Sequence, residues 1–137
     1  MKDWNQSVIE EFRKNGGRVA SFRTVPLLLL HHRGAKTGTE RVNPLAYQEL
    51  DGGYAVFASK GGAPTNPHWY HNLIANPDVT IEVGEETIGA RARVAQGDER
   101  DRIWEEQKRR TPGFADYERK TSRVIPVVIL ERVTRPG

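Results

Sequence analysis

Val79-Thr80-Ile81-Glu82-Val83, then Gly84-Glu85-Glu86, then Thr87-Ile88-Gly89-Ala90-Arg91-Ala92-Arg93-Val94, alternates apolar and polar residues on both sides of a short glycine-and-acid turn. Successive side chains of a strand point to opposite faces, so Val79, Ile81 and Val83 share one face, and Ile88, Ala90, Ala92 and Val94 line the matching face of the next strand. The segment predicts a β-hairpin with one apolar side.

A second hairpin lies upstream. Glu40 to Leu50 and Tyr54 to Lys60 are strand-like runs joined by Asp51-Gly52-Gly53, which supplies the positive-φ residues that tight hairpin turns need. Val19 to His32 has the continuous apolar character of a buried strand, with Pro26 at its start or on an edge because proline cannot donate to a central ladder. Val124 to Val133 is a β-branched strand interrupted by Pro126. Helices are expected where the period changes. Trp4, Val8, Ile9 and Phe12 repeat at helical spacing between Lys2 and Asn15, and Gly16-Gly17 supplies the stop. Asn66-Pro67 opens a helix that Asn76-Pro77-Asp78 closes, Asp98 to Arg110 forms another, and Phe114 to Thr121 adds one short turn. The sum is an α+β fold of about six antiparallel strands with peripheral helices. Closure into a small barrel removes the exposed edges. Residues 1–137 read as one domain with an amphipathic helix over 1–17 and a frayed tail over 134–137.

Composition narrows the chemistry. The 137 residues contain no cysteine, which excludes disulfides, thiolate nucleophiles and cysteine-ligated metals. The longest apolar run, Val25 to Leu30, is far short of the roughly 20 residues a spanning helix needs. No secretory signal precedes Asn5-Gln6-Ser7, so this sequon carries no weight and a cytoplasmic location is expected. The 21 basic and 18 acidic residues leave a charge of +3, which favours an anionic partner.

Two turns concentrate the means to hold an anion. His31-His32-Arg33-Gly34-Ala35-Lys36-Thr37-Gly38-Thr39-Glu40-Arg41 sets cations, glycines and threonines between two strands, and Ala58-Ser59-Lys60-Gly61-Gly62-Ala63-Pro64 repeats the combination at another strand end. Glycines let backbone amides approach an anion closely while lysine and arginine supply charge. Neither turn has the Walker spacing, and a solvated basic loop is the plain alternative for each. Together they predict one shared anion pocket around Lys36 and Lys60, assisted by the start of the helix after Asn66-Pro67. On that helix Trp69, Tyr70 and Asn72 either pack on the sheet or border the pocket. His68 and His71, with His31 or His32, could gather a metal, but no carboxylate completes a zinc pattern and no metal is assigned. Ser59 lacks the setting of a hydrolase nucleophile. Phe114, Tyr117, Thr121 and Ser122 form an aromatic and hydroxyl cluster that either lies over a planar ligand or plugs the outside of the sheet.

Gly34-Ala35-Lys36-Thr37-Gly38 with Arg41, Ala58-Ser59-Lys60-Gly61-Gly62, Asn66-Pro67-His68-Trp69-Tyr70-His71-Asn72-Leu73 with Ala75-Asn76-Pro77, and Arg123-Val124-Ile125-Pro126-Val127-Val128 occur in that order along nearly the whole chain. In this the sequence resembles the deazaflavin-dependent nitroreductase family of split-barrel flavin and deazaflavin oxidoreductases. The resemblance implies a split β-barrel, usually dimeric in the wider superfamily, that binds the deazaflavin coenzyme F-420 with its phosphodiester and oligoglutamate tail. It implies that Lys36, Thr37 and Ser59-Lys60-Gly61 line the phosphate site, with Gly38 and Ala58 also binding the cofactor. Trp69 and Asn72 would close it, with Arg33 and Arg41 toward the acidic tail. This chain has Ala35 where relatives commonly carry arginine, and Thr111, Phe114 and Tyr117 where the family's namesake has tyrosines.

The expected activity is hydride transfer from the reduced deazaflavin to an electron-poor small molecule such as a quinone, an activated enone or a nitro compound. Tyr117 or Ser59 is the candidate to orient or protonate the acceptor, and Phe114 and Tyr117 are the candidate substrate contacts. The alternatives are a non-catalytic deazaflavin carrier, a flavin mononucleotide (FMN) protein of the same fold, and a polyanion-binding module. No nucleic-acid motif supports the last of these. Glu10 and Glu11 disfavour contact between the first helix and an anionic membrane.

Overall fold

The computed structural model describes residues 4–19, 26–59, 62 and 65–133. Among them the elements run α1 (Trp4–Lys14), β1 (Leu27–Arg33), β2 (Glu40–Leu50), β3 (Gly53–Phe57), α2 (His68–Ala75), β4 (Asp78–Val83), β5 (Glu86–Val94), α3 (Gly97–Arg110), α4 (Gly113–Lys120) and β6 (Val127–Arg132). The strands close into a barrel in the order β1-β2-β3-β6-β5-β4, and every neighbouring pair is antiparallel. This is the expected α+β barrel, and Val79–Val94 forms the expected hairpin, with Ile81 opposite Ile88.

Strand alternation sorts the apolar residues into separate cores. Leu28, Leu30, Tyr54, Val56, Ala58, Ile81, Ile88, Ala90, Val128 and Leu130 fill one cluster inside the barrel, joined by Trp69 and Leu73 of α2, which stops one end. The opposite faces of the same strands serve the helices. Ala55, Phe57, Val127 and Ile129 meet Ile103 and Trp104 of α3 and Phe114 of α4, while Leu27 and Leu29 meet Val8 and Phe12 of α1. A strand used on both faces needs a continuous apolar run, which explains Leu27 to Leu30. Each large side chain so buried contributes roughly 1.5–3 kcal/mol.

Charge pins α1 in place. Arg13 donates to both oxygens of Glu82 on β4, at 3.1 and 2.7 Å, and His31 Nε2 lies 2.6 Å from the same carboxylate. The Arg13 hydrogen bond holds the Glu82 carboxyl below the usual carboxylate range, against the opposing effect of burial, and His31 adds to it.

Proline sets two strand boundaries that the sequence left loose. β1 begins directly after Pro26, whose carbonyl accepts from Tyr47 N–H at 3.1 Å, and β6 begins after Pro126, whose carbonyl accepts from Ala58 N–H at 3.0 Å. Each proline contributes the acceptor it has at the place where no donor is required. The segment after Pro112 is a full eight-residue helix rather than a single turn, because Phe114 is buried against α3 and the sheet. No helix of the described residues is long and apolar enough to cross a membrane. The 134–137 tail lies outside the described residues.

Candidate functional site

Residues 34–39 join β1 to β2 in a tight turn. Gly34 N–H donates to Thr39 O at 2.9 Å, Gly38 N–H to Gly34 O at 2.9 Å, and Thr39 N–H to Thr37 Oγ1 at 3.3 Å. Gly38 sits at φ +70°, a conformation glycine adopts without strain. Lys36 and Thr37 are exposed at the apex, and among the described residues their amides have no acceptor. Two successive open amides beside a lysine make a concavity suited to an anion.

The turn is held from behind. Ala35 N–H donates to Asn72 Oδ1 at 2.9 Å, which fixes the orientation of the Asn72 amide, since a backbone N–H can only donate. Asn72 Nδ2 therefore faces His32 Nδ1 at 3.0 Å as a donor, so Nδ1 carries no proton. The ring proton is on Nε2, which donates to Asn43 Oδ1 at 2.7 Å. His32 is neutral, with both nitrogens engaged and 3% exposure. Burial lowers its pKa, the Asn43 bond opposes this, and the Arg41 and His31 charges lower it further. This explains what His32 does instead of joining His68 and His71 at a metal. Among the described residues no cluster of His, Cys, Asp or Glu is gathered to hold one.

The second turn leaves the barrel at the end of β3. Ala58 and Ser59 are buried, and the Ser59 carbonyl accepts from Gly62 N–H at 2.9 Å. The Ser59 hydroxyl has no partner among the described residues. Arg123 ties this corner together, donating to Ala58 O at 3.0 Å, to Ser59 O at 2.8 Å and to Asn66 Oδ1 at 2.8 Å. Gly62, at φ +85°, lies so close to α4 that a Cβ would stand 2.8 Å from Lys120 Cβ and 2.9 Å from the Tyr117 carbonyl oxygen. α4 thus borders the second turn through the Lys120 side-chain stem and the Tyr117 carbonyl. Lys60 and Gly61 lie outside the described residues, so the meeting of Lys36 with Lys60 stays a proposal.

Asn72 connects the two turns through α2, because Asn66 precedes this helix and Asn72 lies on its buried side. Trp69 is 6% exposed and packs into the barrel interior, and Phe114 is 7% exposed among Phe57, Trp104 and Tyr117. Both rings are packed in the core, and their part at a ligand belongs to the proposal below. Tyr117 is half-buried, edge-on to Phe114 at 5.3 Å. Arg33 and Arg41 are exposed, and Arg33 borders a cleft of ≈ 620 Å³ that also carries Glu40 and Asp78. The residues that sequence reasoning missed are His32 as a buried hinge of the network, Asn43 and Arg123. The alternation that puts Leu28 and Leu30 inside the barrel also puts His32 there, a signal present in the sequence.

The family model described as F420H2-dependent quinone reductase matches residues 4–132. An F420H2-dependent quinone reductase of Mycobacterium tuberculosis is 44% identical over 110 residues, 78% of this chain and 74% of that protein. A solved F420-H2 dependent reductase superposes with a TM-score of 0.71 at 42% identity, covering 77% of this chain and 94% of the other. A further structure, described as a domain-swapped dimer, gives 0.73 at 37% identity, covering 90% and 94%.

Proposed function

We propose, for a chain that belongs to the F420H2-dependent quinone reductase family, that it binds coenzyme F-420 across the two turns and reduces a quinone or a similarly electron-poor small molecule. The observation that carries this reading is the first turn: two open amides at Lys36 and Thr37, an exposed lysine beside them, and a buried amide, Asn72, that holds the turn in that shape. Such a site suits a phosphodiester, which needs donors and charge but no acid or base. The Ser59 hydroxyl, without a partner among the described residues, and the small residues of the second turn suit the edge of a flat ring system. In this reading Lys36, Thr37, Gly38, Ala58, Ser59, Lys60 and Gly61 contact the cofactor.

When bound, the reduced deazaflavin supplies a hydride. The chain's own residues bind and orient: Lys36 and the turn amides fix the phosphate, Ser59 donates to the ring system, and Tyr117, on the helix α4 that borders the second turn, is the candidate to orient or protonate the acceptor. Hydride transfer needs donor and acceptor atoms within about 3–3.5 Å, so positioning accounts for much of the rate. Trp69 and Asn72 act from behind the turns, and Phe114 supports Tyr117. Arg41 is the better candidate for the acidic tail, because Arg33 shares its cleft with Glu40 and Asp78. A homodimer belongs to the same reading, supported by the domain-swapped neighbour, and sedimentation would test it.

Parallel fluorescence titrations with coenzyme F-420 and FMN, followed by turnover with menadione, test the proposal. Tight deazaflavin binding and accelerated quinone reduction are expected. Preference for FMN would overturn the cofactor assignment, and tight binding without turnover would favour a carrier. Lys36→Ala is expected to weaken deazaflavin binding about 10- to 100-fold, the worth of one charge-assisted hydrogen bond, with the thermal midpoint unchanged.

A further inference from the structure

We propose that neutral His32 is the positioning residue of the anion-binding turn, and that its protonation unlocks Ala35 and weakens cofactor binding. The inference rests on the cofactor reading above for its second half only. Its first half concerns the fold: His32 Nδ1 accepts from Asn72 Nδ2 at 3.0 Å, leaving Asn72 Oδ1 for Ala35 N–H at 2.9 Å.

Asn72 has one side-chain oxygen and two claimants. With His32 neutral, its nitrogen satisfies the ring and its oxygen satisfies the turn. An imidazolium carries N–H on both nitrogens and cannot accept. Its Nδ1–H would meet the Asn72 NH₂ donor to donor, and the repair is to rotate the amide so that Oδ1 turns to the ring. Nδ2 then faces Ala35 N–H, and the turn loses the bond that holds it. Neither amide orientation satisfies both sides once the ring is charged.

The groups around the ring resist that charge. Arg41 on β2 and His31 on β1 both act against a second positive charge, and α2 presents only the neutral Asn72. Glu40 and Glu82 are engaged by His31. The pKa of His32 is therefore depressed from its ordinary value of about 6.5. The sign follows: the locked turn is fully populated above about pH 6.5, and as pH falls below that the unlocked state, which binds the extra proton, gains ground until the folded pKa is passed.

The experiment has two readouts. In the cofactor-free protein, exchange of the Ala35 amide, corrected for intrinsic rate, is followed by NMR between about pH 7.5 and about pH 5. In parallel, fluorescence titration gives the deazaflavin dissociation constant over the same range. Wild type is expected to lose about tenfold in Ala35 protection and about tenfold in affinity across the acid limb. His32→Gln, which can donate to Asn43 and accept from Asn72 without titrating, is expected to abolish both pH dependences. His32→Leu, which removes both the acceptor for Asn72 and the N–H that would compete for its oxygen, is expected to leave Ala35 protection independent of pH. Constant Ala35 protection in wild type through the acid limb would overturn the proposal, and so would a Gln variant with the wild-type profile. If wild type binds no deazaflavin at any pH, the cofactor reading fails, while the Ala35 exchange still decides the role of His32.

Discussion

Trp104→Ala is expected to cost the fold about 3–5 kcal/mol, the range for emptying a large aromatic site in a packed core, and to lower the thermal midpoint by roughly 10–15 °C. The indole is 1% exposed and lies between Phe57 at 5.9 Å and Phe114 at 6.1 Å, so the void would open where α3, α4 and the outer face of β3 meet. More than volume would go. Trp104 Nε1 donates to Glu118 Oε2 at 2.6 Å, and Arg100 stacks over the ring at 5.3 Å, its buried Nε without a partner among the described residues. Glu118 also accepts from Lys108 at 3.0 Å. Burial alone would raise the Glu118 pKa, but the bonds from Lys108 and the indole hold it below the usual carboxylate range. That carboxylate fastens α4 to α3, and α4 carries Tyr117 and touches Gly62. Trp104→Phe separates the contributions: it keeps most of the packing, loses the Glu118 donor, and should cost about 1–2 kcal/mol. A chemical denaturation series measures all three proteins. A Trp104→Ala protein within 1 kcal/mol of wild type would show that α4 is held by something other than this cluster.

Much of the barrel was legible because strand periodicity is a strong local signal. Val79 to Val94 announces its hairpin by simple alternation, and Asp51-Gly52-Gly53 announces the other. The strand order, in which β6 inserts between β3 and β5, is not local. It follows from Val127 to Leu130 being apolar on both faces, which fits a strand with the barrel interior on one side and α3 and α4 on the other. The turns were legible as basic and glycine-rich, but what shapes them was not. His32, Asn43 and Asn72 lie far apart in sequence and acquire their meaning only when β1, β2 and α2 meet. Trp69 and Phe114 show the converse. Aromatic residues beside a candidate pocket resemble ligand contacts in sequence, and a small barrel also needs such residues to stop its end and cover its wall.

Arg123, which the sequence marked only by resemblance, sits between α4 and β6 and organises the second turn as Asn72 organises the first. Its two terminal nitrogens reach Ala58 O, Ser59 O and Asn66 Oδ1 within 3.0 Å, joining the end of β3 to the entry of α2. A planar guanidinium can hold such divergent acceptors at once, whereas an ammonium on a flexible stem presents a single point of charge. Arg123→Met leaves these acceptors without their donor beside the fully buried Ala58, and should lower stability by about 2–3 kcal/mol. Deazaflavin affinity should fall about 10- to 100-fold, since the Ser59 hydroxyl is aimed by the backbone that Arg123 holds. Arg123→Lys tests whether charge or shape matters. If shape does, the lysine variant recovers much of the stability but little of the affinity, and added salt changes the deficit little, because screening acts on charge rather than on the placement of Ser59. If the lysine variant binds the cofactor as wild type does, Arg123 works as a local positive charge for the anion, and the second turn needs no clamp to take its shape.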